Sequence, residues 1–361
     1  MGYKITQPAR GFGAQAANLV RLSLPGFCIL LLTGWWPSQS PGSLSSTLRG
    51  SVNDSQEARG DRASWVPLRI VDVSKVPLGT PFGGLAKVLY RNEKDGKLLG
   101  HLLYIDWPPQ GIPQPRPGQR LLGPHYHPYH EWGYILAGDY ITYEMVHPGQ
   151  KQGEIVQHRA GDWLDRPPYS IHDGEGRPGS RYRQGNCDML LFEEGDGPKD
   201  DVAFDPQSPR YKPDWKNVTQ WTHPHRVQAV ESMEWEPDLE LPGTNVKYLS
   251  EDQVMGFRAR LHFAPAGWSY PRAPERSYYK QVHRFVYVIW GDLAAWVYNT
   301  PETPGTKVVA TKNFLIDQAP MSIWGVAQGP LTEKGCMWLE VMYAKGAQVG
   351  GGRIEEPTAL R

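Results

Sequence analysis

The segment HEWGYILAGD, residues 130–139, recurs as HRFVYVIWGD at residues 283–292, and this recurrence decides the fold. Two flanking pairs keep the same order: PPQG at 108–111 corresponds to PAG at 265–267, and PYSIH at 168–172 corresponds to PMSIW at 320–324. An offset of roughly 150 residues, kept at three places, indicates an internal repeat. The chain of 361 residues is therefore predicted to contain two related domains.

Each copy of the repeat consists of short runs of β-branched and aromatic residues, broken by Gly, Pro, Asn and Asp at intervals typical of hairpins. The composition agrees, with 39 glycines, 33 prolines and an aromatic share of 11%. No helical period is sustained beyond a turn or two. These features predict an all-β chain built from two tandem antiparallel barrels or sandwiches.

The domain boundaries follow from changes in composition. We expect a leader and flexible linker at 1–65, a first barrel at 66–200, a connection rich in proline and charge at 201–225, a second barrel at 226–346 and a tail at 347–361.

The leader contains an apolar run, LSLPGFCILLLTGWW at 22–36, preceded by three basic residues. Its outline suggests an export signal, but Pro25 interrupts the run and no small-residue cleavage site follows it. An alternative is that residues 1–51 lie upstream of the true start. The run is shorter than the roughly twenty residues of a membrane-spanning helix, so no stable membrane span is expected. A cytoplasmic location is favoured over export.

Charge and cysteine content exclude several classes of protein. The 38 basic and 38 acidic residues give zero net charge, which provides no general attraction for nucleic acid or for an anionic membrane surface. The three cysteines, Cys28, Cys187 and Cys336, have no C-x-x-C spacing. Cys187 and Cys336 occupy the same strand of the two copies, so we expect two buried, unbridged thiols.

A metal site is indicated in the first copy. His125, His127 and Glu131 have the spacing H-x-H-x-x-x-E, six residues precede Gly138, and a later G-x5-P segment leads to His172. Strand alternation brings the first three side chains to one face and leaves His130 on the other, and His172 is expected on a neighbouring strand. Three imidazoles and one carboxylate suit Fe, Mn, Ni, Cu or Zn and leave coordination positions open.

These residues resemble the cupin motifs. His125, His127, Glu131 and Gly138 match the first motif, and Gly161, Pro167 and His172 match the second. The glycine usual two residues after the second motif's proline is replaced by Tyr169, which is a departure at that turn. The resemblance covers roughly residues 66–345. It implies a bicupin, with two tandem double-stranded β-helix (jelly-roll) barrels and one divalent transition metal.

The second copy keeps the fold signals and loses the ligands. Aligning Gly291 with Gly138 places Tyr278, Lys280 and Arg284 at the positions of the first-motif ligands, and Trp324 at the position of His172. Cations repel a metal ion and Trp offers only a donor. A metal-free barrel that pairs with the first is predicted. The alternative is a small-molecule pocket in which Lys280 and Arg284 bind a carboxylate.

The expected function is that of a metal-dependent enzyme, with Fe(II) favoured over Zn, Mn, Ni and Cu. A dioxygenase acting on a small aromatic or enolisable substrate is the first hypothesis, with Tyr134 and Tyr140 as candidate catalytic residues. The alternatives are a metal-dependent lyase, isomerase or hydrolase, or a non-enzymatic small-molecule sensor. The expected partners are a small-molecule substrate and, through barrel pairing, a second copy of the chain in a homo-oligomer.

Overall fold

The computed structural model describes residues 65–79, 86–94, 97–107, 124–148, 150, 153–173, 187–194, 202–208, 210–222, 226–252, 256–270, 277–279, 282–325, 329–344 and 358–359. Within these ranges the chain is built from strands. Its helical segments there are three short 3-10 turns, Val73–Lys75, Pro213–Asn217 and Val230–Ser232. The predicted all-β class is confirmed. The apolar run at 22–36 and Cys28 lie outside the described residues.

Among the described segments, no helix combines the length and the hydropathy needed to cross a membrane.

The strands of the first half are, in chain order, β1 (Arg69–Asp72), β2 (Ala86–Lys94), β3 (Lys97–Trp107), β4 (His125–Tyr126), β5 (His130–Met145), β6 (Glu154–Arg159), β7 (Asp162–Arg166), β8 (Ile171–Asp173), β9 (Cys187–Glu194) and β10 (Val202–Ala203). Those of the second half are β11 (Arg226–Ala229), β12 (Glu236–Pro237), β13 (Asn245–Asp252), β14 (Phe257–Ala264), β15 (Ser277–Tyr278), β16 (Val282–Val297), β17 (Thr306–Thr311), β18 (Phe314–Gln318), β19 (Ile323–Trp324), β20 (Cys336–Ala344) and β21 (Thr358–Ala359).

Two curled antiparallel sheets form the two barrels. The first has the order β10-β4-β8-β5-β9-β3-β2, with β6 and β7 also paired to β5. The second has the order β1-β18-β16-β20-β14-β13-β12, with β17 paired to β16, while β15, β19 and β21 form a separate small sheet. The long strands β5 and β16 carry the recurring segment and connect both walls of their barrels.

A glycine near the middle of each long strand explains why the pair Gly-Asp recurs. Gly138 and Gly291 have φ values of 72° and 82°, in the left-handed region that favours glycine. A Cβ on Gly291 would lie 1.9 Å from the carbonyl oxygen of Gly335, so a side chain cannot fit. The carboxylate of Asp292 then accepts hydrogen bonds from the amides of Glu333 and Lys334. Each strand is bent and fixed at this point.

The barrels exchange their first strands. β1 pairs with β18 of the second barrel, and β11 pairs with β7 of the first. Arg69 of β1 also donates from Nε to Asp317 Oδ2 at 2.9 Å. The boundaries drawn at residues 66 and 226 remain predictions, but strand pairing crosses them in both directions, a feature that composition did not reveal.

Apolar side chains of both barrels meet in a shared core. Trp132 of β5 stacks on Phe257 of β14 with ring centroids 3.5 Å apart, and Phe192 of β9 contacts Phe285 of β16. Cys187 and Cys336 are buried, unbridged thiols, as predicted. The inward faces of the two barrels therefore remain separate spaces, each enclosed by its own sheet.

The described part of the predicted linker packs on the first barrel. β10 pairs with β4, and Phe204 and Trp221 contact the ring of Tyr126. This segment thus covers the strand that carries His125.

Candidate metal centre

Three histidines converge inside the first barrel. Ligand nitrogens of His125, His127 and His172 all lie within 4.8 Å of one another, and the three side chains are buried. Metal–nitrogen bonds of about 2.1 Å place adjacent ligand nitrogens about 3.0–3.4 Å apart. Side-chain movements of up to about 1 Å each are therefore enough for one ion to bind all three.

Strand pairing explains the convergence. His125 on β4 lies directly opposite His172 on β8, as the predicted neighbouring strand requires. His127 follows β4 in a turn, and Glu131 begins the inward row of β5. The first-motif residues thus come from two strands joined by a turn, whereas the sequence suggested a single strand.

The environment keeps His172 neutral. Burial lowers the pKa of His172 well below its ordinary value, and the nearby charge of Arg166 adds to this. Its Nδ1 is buried without a hydrogen-bond partner among the described residues. A neutral imidazole with an unpartnered nitrogen is the form that binds a metal. The ring of Tyr129 stacks on His127 with centroids 4.6 Å apart and limits its rotation.

Glu131 lies beside the triad, next to His127. Its Oε1 accepts a hydrogen bond from Arg166 Nη1, and its Oε2 lies 3.5 Å from His127 Nδ1. Burial raises the pKa of Glu131 to about 7, against the opposing charge of Arg166 and with support from Glu193. Its role as fourth ligand remains a prediction.

Buried carboxyl groups lie around the triad. They belong to Glu131, Glu144 and Glu193, and Glu144 lies opposite His172 in the pairing of β5 with β8. Arg166 provides a buried guanidinium, which also donates to Glu144 Oε1 at 2.9 Å, and His101 Nε2 lies 3.3 Å from Glu193 Oε2. A cation bound by the histidines would therefore have carboxyl groups close by.

The two candidate catalytic tyrosines lie in different places. Tyr140 is buried inside the first barrel, with its hydroxyl 3.5 Å from Arg166 Nη2. Tyr134 belongs instead to the core shared by the barrels, together with Trp132 and Trp163. His130 also faces away from the triad, with its Nε2 2.6 Å from Asp165 Oδ1. Tyr140 is thus connected to the histidine site through Arg166, and Tyr134 is not.

Arg166 lies within the G-x5-P segment of the second motif, which assigns it no role. Its position carries a usable signal. Leu164 and Arg166 are two residues apart on β7 and share one face of the strand, so an inward Leu164 predicts an inward Arg166. The register places Arg166 opposite Glu131.

Strand register corrects the alignment of the second barrel. Ser277 lies opposite Trp324 as His125 lies opposite His172. The amide of Met321 donates to Tyr279 as that of Tyr169 donates to His127. The positions of His125 and His127 are therefore held by Ser277 and Tyr279, not by Tyr278 and Lys280, because the turn before the long strand is one residue longer in this copy. Lys280 itself lies outside the described residues.

The two other ligand positions of the second barrel are occupied as the sequence alignment predicted. Arg284 lies opposite Gln318 on β18 as Glu131 lies opposite Arg166 on β7. Trp324 stands at the position of His172. Among the described residues, the four ligand positions of the second barrel thus carry Ser, Tyr, Arg and Trp.

The turn that lacks the usual glycine keeps its shape. Tyr169 has a φ of 66°, the left-handed conformation in which glycine is ordinarily used, and its amide donates to the His127 carbonyl at 2.7 Å. The replacement leaves His172 in register with His125.

The two tandem antiparallel barrels have the fold of a bicupin. An oxalate decarboxylase, studied for its substrate-binding mode and a switch of reaction specificity, is similar at a TM-score of 0.50 with 12% identity, over 89% of each chain. The oxalate decarboxylase of Bacillus subtilis at pH 4.6 matches at 0.49 with 12% identity, over 84% of this chain and 85% of that one. Protein Ylba from E. coli matches at 0.46 with 11% identity, over 77% and 90%.

At such low identity the likeness concerns the fold alone. No family model matches the sequence. A search of curated proteins also found no match.

Proposed function

We propose that the first barrel binds one divalent transition metal through His125, His127 and His172, with Glu131 as fourth ligand, and that the chain is a metal-dependent enzyme acting on a small organic molecule. The observation that carries this proposal is the convergence of three buried imidazoles inside a barrel.

The residues present fit such an ion. All three histidines are buried, and His172 offers an unpartnered nitrogen. The buried carboxyl groups beside the triad would offset part of the charge of a dication. The described donors are nitrogen and oxygen, a set suited to Fe, Mn, Ni, Cu and Zn. When bound, the ion would act as a Lewis acid on a substrate oxygen, and iron would additionally allow oxygen chemistry.

The surrounding side chains have definable tasks. Arg166 bonds both Glu131 and Glu144, so it holds the orientation of the predicted carboxylate ligand. The Tyr140 hydroxyl is fully buried, and burial raises its pKa above the ordinary value. It therefore stays protonated and can donate a hydrogen bond to a substrate oxygen, but it is poorly suited to transfer a proton in either direction near neutral pH.

Two reaction classes remain open. An Fe(II) dioxygenase that cleaves an aromatic or enolisable substrate uses the open coordination positions of a histidine-rich site. A lyase, isomerase or hydrolase with Mn, Zn or Ni is favoured by the protonated Tyr140 beside Arg166, since two hydrogen-bond donors suit a substrate oxygen that develops negative charge. The decarboxylase named above is an example of the second class on the same fold. We propose the dioxygenase first and the lyase group as its alternative.

The test begins with metal analysis of the full chain purified without added metal. Oxygen uptake and product formation are then measured with β-diketones, hydroxyacetophenones and catechols, in air and under nitrogen. Iron together with substrate-dependent oxygen uptake supports the dioxygenase. Turnover without oxygen consumption supports the second class. Protein that binds no divalent metal at stoichiometric level contradicts both.

Tyr140→Phe and Tyr134→Phe provide a matched pair for the same assay. Loss of one hydroxyl near the site is expected to reduce kcat by about tenfold to a hundredfold. Tyr134→Phe removes a hydroxyl in the shared core and should leave kcat within about twofold of wild type. Equal effects would contradict the assignment of Tyr140.

A further inference from the structure

The second barrel contains a cavity of about 80 Å³. This space is large enough for several water-sized groups. Its described walls are mostly aromatic and aliphatic, and they include Trp268, Trp324 and Trp338. Arg284 and Gln318, which stand where the first barrel has Glu131 and Arg166, also line it.

The difference in interior side chains accounts for the space. Tyr140 and Thr142 on β5 correspond to Leu293 and Ala295 on β16, because their neighbours on β6 and β17 pair in the same register. Leu293 and Ala295 both line the cavity. Smaller apolar groups thus replace polar groups, which leaves a dry space instead of a hydrogen-bonded network.

Hydrogen-bond donors at this cavity lack acceptors. The indole nitrogens of Trp324 and Trp338 are buried with no hydrogen-bond partner among the described residues. Arg284 has five N–H groups, of which Nε and Nη2 bond Glu340 and Nη1 bonds Gln318. Two of its N–H groups are thereby left for a further acceptor. Unsatisfied buried donors are uncommon, and a ligand oxygen would satisfy them.

Arg284 is ion-paired with Glu340. Glu340 Oε2 lies 2.6 Å from both Nε and Nη2 of Arg284, while Arg258 and His262 contact the other carboxylate oxygen at 3.4 and 3.7 Å. Burial alone would raise the pKa of Glu340, but Arg284 and His262 hold it well below its ordinary value, so the carboxylate is ionised. Arg284 is the one charged side chain among the described residues that line the cavity. A ligand therefore meets a guanidinium that is already paired, together with apolar walls, and this setting favours a neutral acceptor over an anion.

We propose that the second barrel is a binding site for a small, flat, uncharged molecule, an aromatic ring bearing a carbonyl oxygen. The ring packs among the indoles, and the oxygen accepts from Trp338, Trp324 or Arg284. This site is separate from the metal site and does not rest on the function proposed for the first barrel.

The test uses the full chain and three probes of nearly equal shape: benzamide, benzoate and toluene. Affinities are measured by calorimetry and by ligand-observed saturation-transfer NMR. Benzamide should bind about tenfold more tightly than toluene, which offers no acceptor. It should also bind more tightly than benzoate. Absence of benzamide binding, or tighter binding of benzoate, would overturn the proposal.

Variants locate the site. Ala295 lines the cavity, so Ala295→Phe should fill it and abolish benzamide binding. His172→Ala, in the first barrel, should leave binding unchanged. Trp338→Phe keeps the ring and removes the donor, so it should weaken benzamide by about tenfold and toluene hardly at all. Benzamide binding that survives Ala295→Phe, or is lost in His172→Ala, would contradict this location, and unchanged benzamide affinity in Trp338→Phe would contradict the assigned donor.

Discussion

In the first barrel, β4, β5 and β8 direct histidines and a glutamate inward, whereas β15, β16 and β19 of the second barrel carry other residues at the same positions. The register of each pair is retained. The backbone therefore keeps the same register whichever side chains occupy the barrel interior, as expected of a scaffold whose stability comes from its strands and shared core. The ligand positions and their replacements are His125 and Ser277, His127 and Tyr279, Glu131 and Arg284, and His172 and Trp324.

The supporting residues have changed along with the ligands. Arg166 bonds two carboxylates in the first barrel, while in the second barrel the cation is Arg284 and the carboxylate is Glu340 on β20. A buried cation has thus moved from the supporting position to the ligand position. The first interior has three buried carboxyl groups near its histidines, and the cavity of the second is lined by an ion-paired guanidinium and indoles. The proposals of metal binding in one barrel and of organic-ligand binding in the other rest on this difference.

The largest expected effect concerns metal content. His172→Ala removes one of three converging nitrogens and is expected to reduce the metal from about one ion per chain to well below stoichiometry, because the remaining ligand set is incomplete. The measurement is elemental analysis after dialysis, with circular dichroism as the check of folding.

The reciprocal change, Trp324→His, introduces an imidazole at the equivalent position of the second barrel. We expect no gain of metal. Ser277, Tyr279 and Arg284 do not complete a ligand set, and the positive charge of Arg284 repels a metal ion. Two ions per chain, in this variant or in wild type, would contradict the proposed difference between the barrels.

The second effect concerns stability of the metal-free protein. Arg166→Met leaves Glu131 and Glu144 buried without their cation, which is expected to cost about 3–5 kcal/mol of unfolding free energy. Gln318→Met at the matching position leaves the pair of Arg284 with Glu340 intact, so the expected loss is about 1 kcal/mol. Urea unfolding followed by tryptophan fluorescence measures both. Equal losses would mean that Arg166 is not the main counterion of the first interior.

Much of this arrangement could be predicted from sequence, since it depends on local spacing. The repeat and the β class follow from strand patterning and glycine positions. The spacing of His125, His127 and His172 indicated that they converge, although His127 lies in a turn and not on the single strand that alternation assumed. The exchange of β1 and β11 could not be predicted, because strand pairing between distant segments leaves no periodic signal. The alignment by Gly291 assigned Tyr278 and Lys280 to ligand positions because it assumes turns of equal length. The turn before β16 is one residue longer than the turn before β5.

The interaction partners of the site were also beyond sequence reasoning. Arg166 was visible in the second motif, but its bonds to Glu131 and Glu144 depend on which strands are neighbours across the barrel. The cavity of the second barrel likewise depends on side-chain volumes summed over several strands.

The smallest expected effect concerns the turn after β7 and its counterpart after β18. Tyr169 and Met321 have φ values of 66° and 68°, and each side chain there carries a strain of about 1 kcal/mol that glycine would relieve. Tyr169 also stacks on Tyr126 with ring centroids 5.8 Å apart, a contact of about 0.5–1.5 kcal/mol. Met321→Gly is therefore expected to stabilise the protein by about 0.5 kcal/mol after the entropy of the unfolded chain is counted, and Tyr169→Gly to destabilise it by about 1 kcal/mol. Urea midpoints of the two variants decide this. If both glycines stabilise the protein equally, the stacking on Tyr126 does not compensate the strain, and the tyrosine at this turn has another cause.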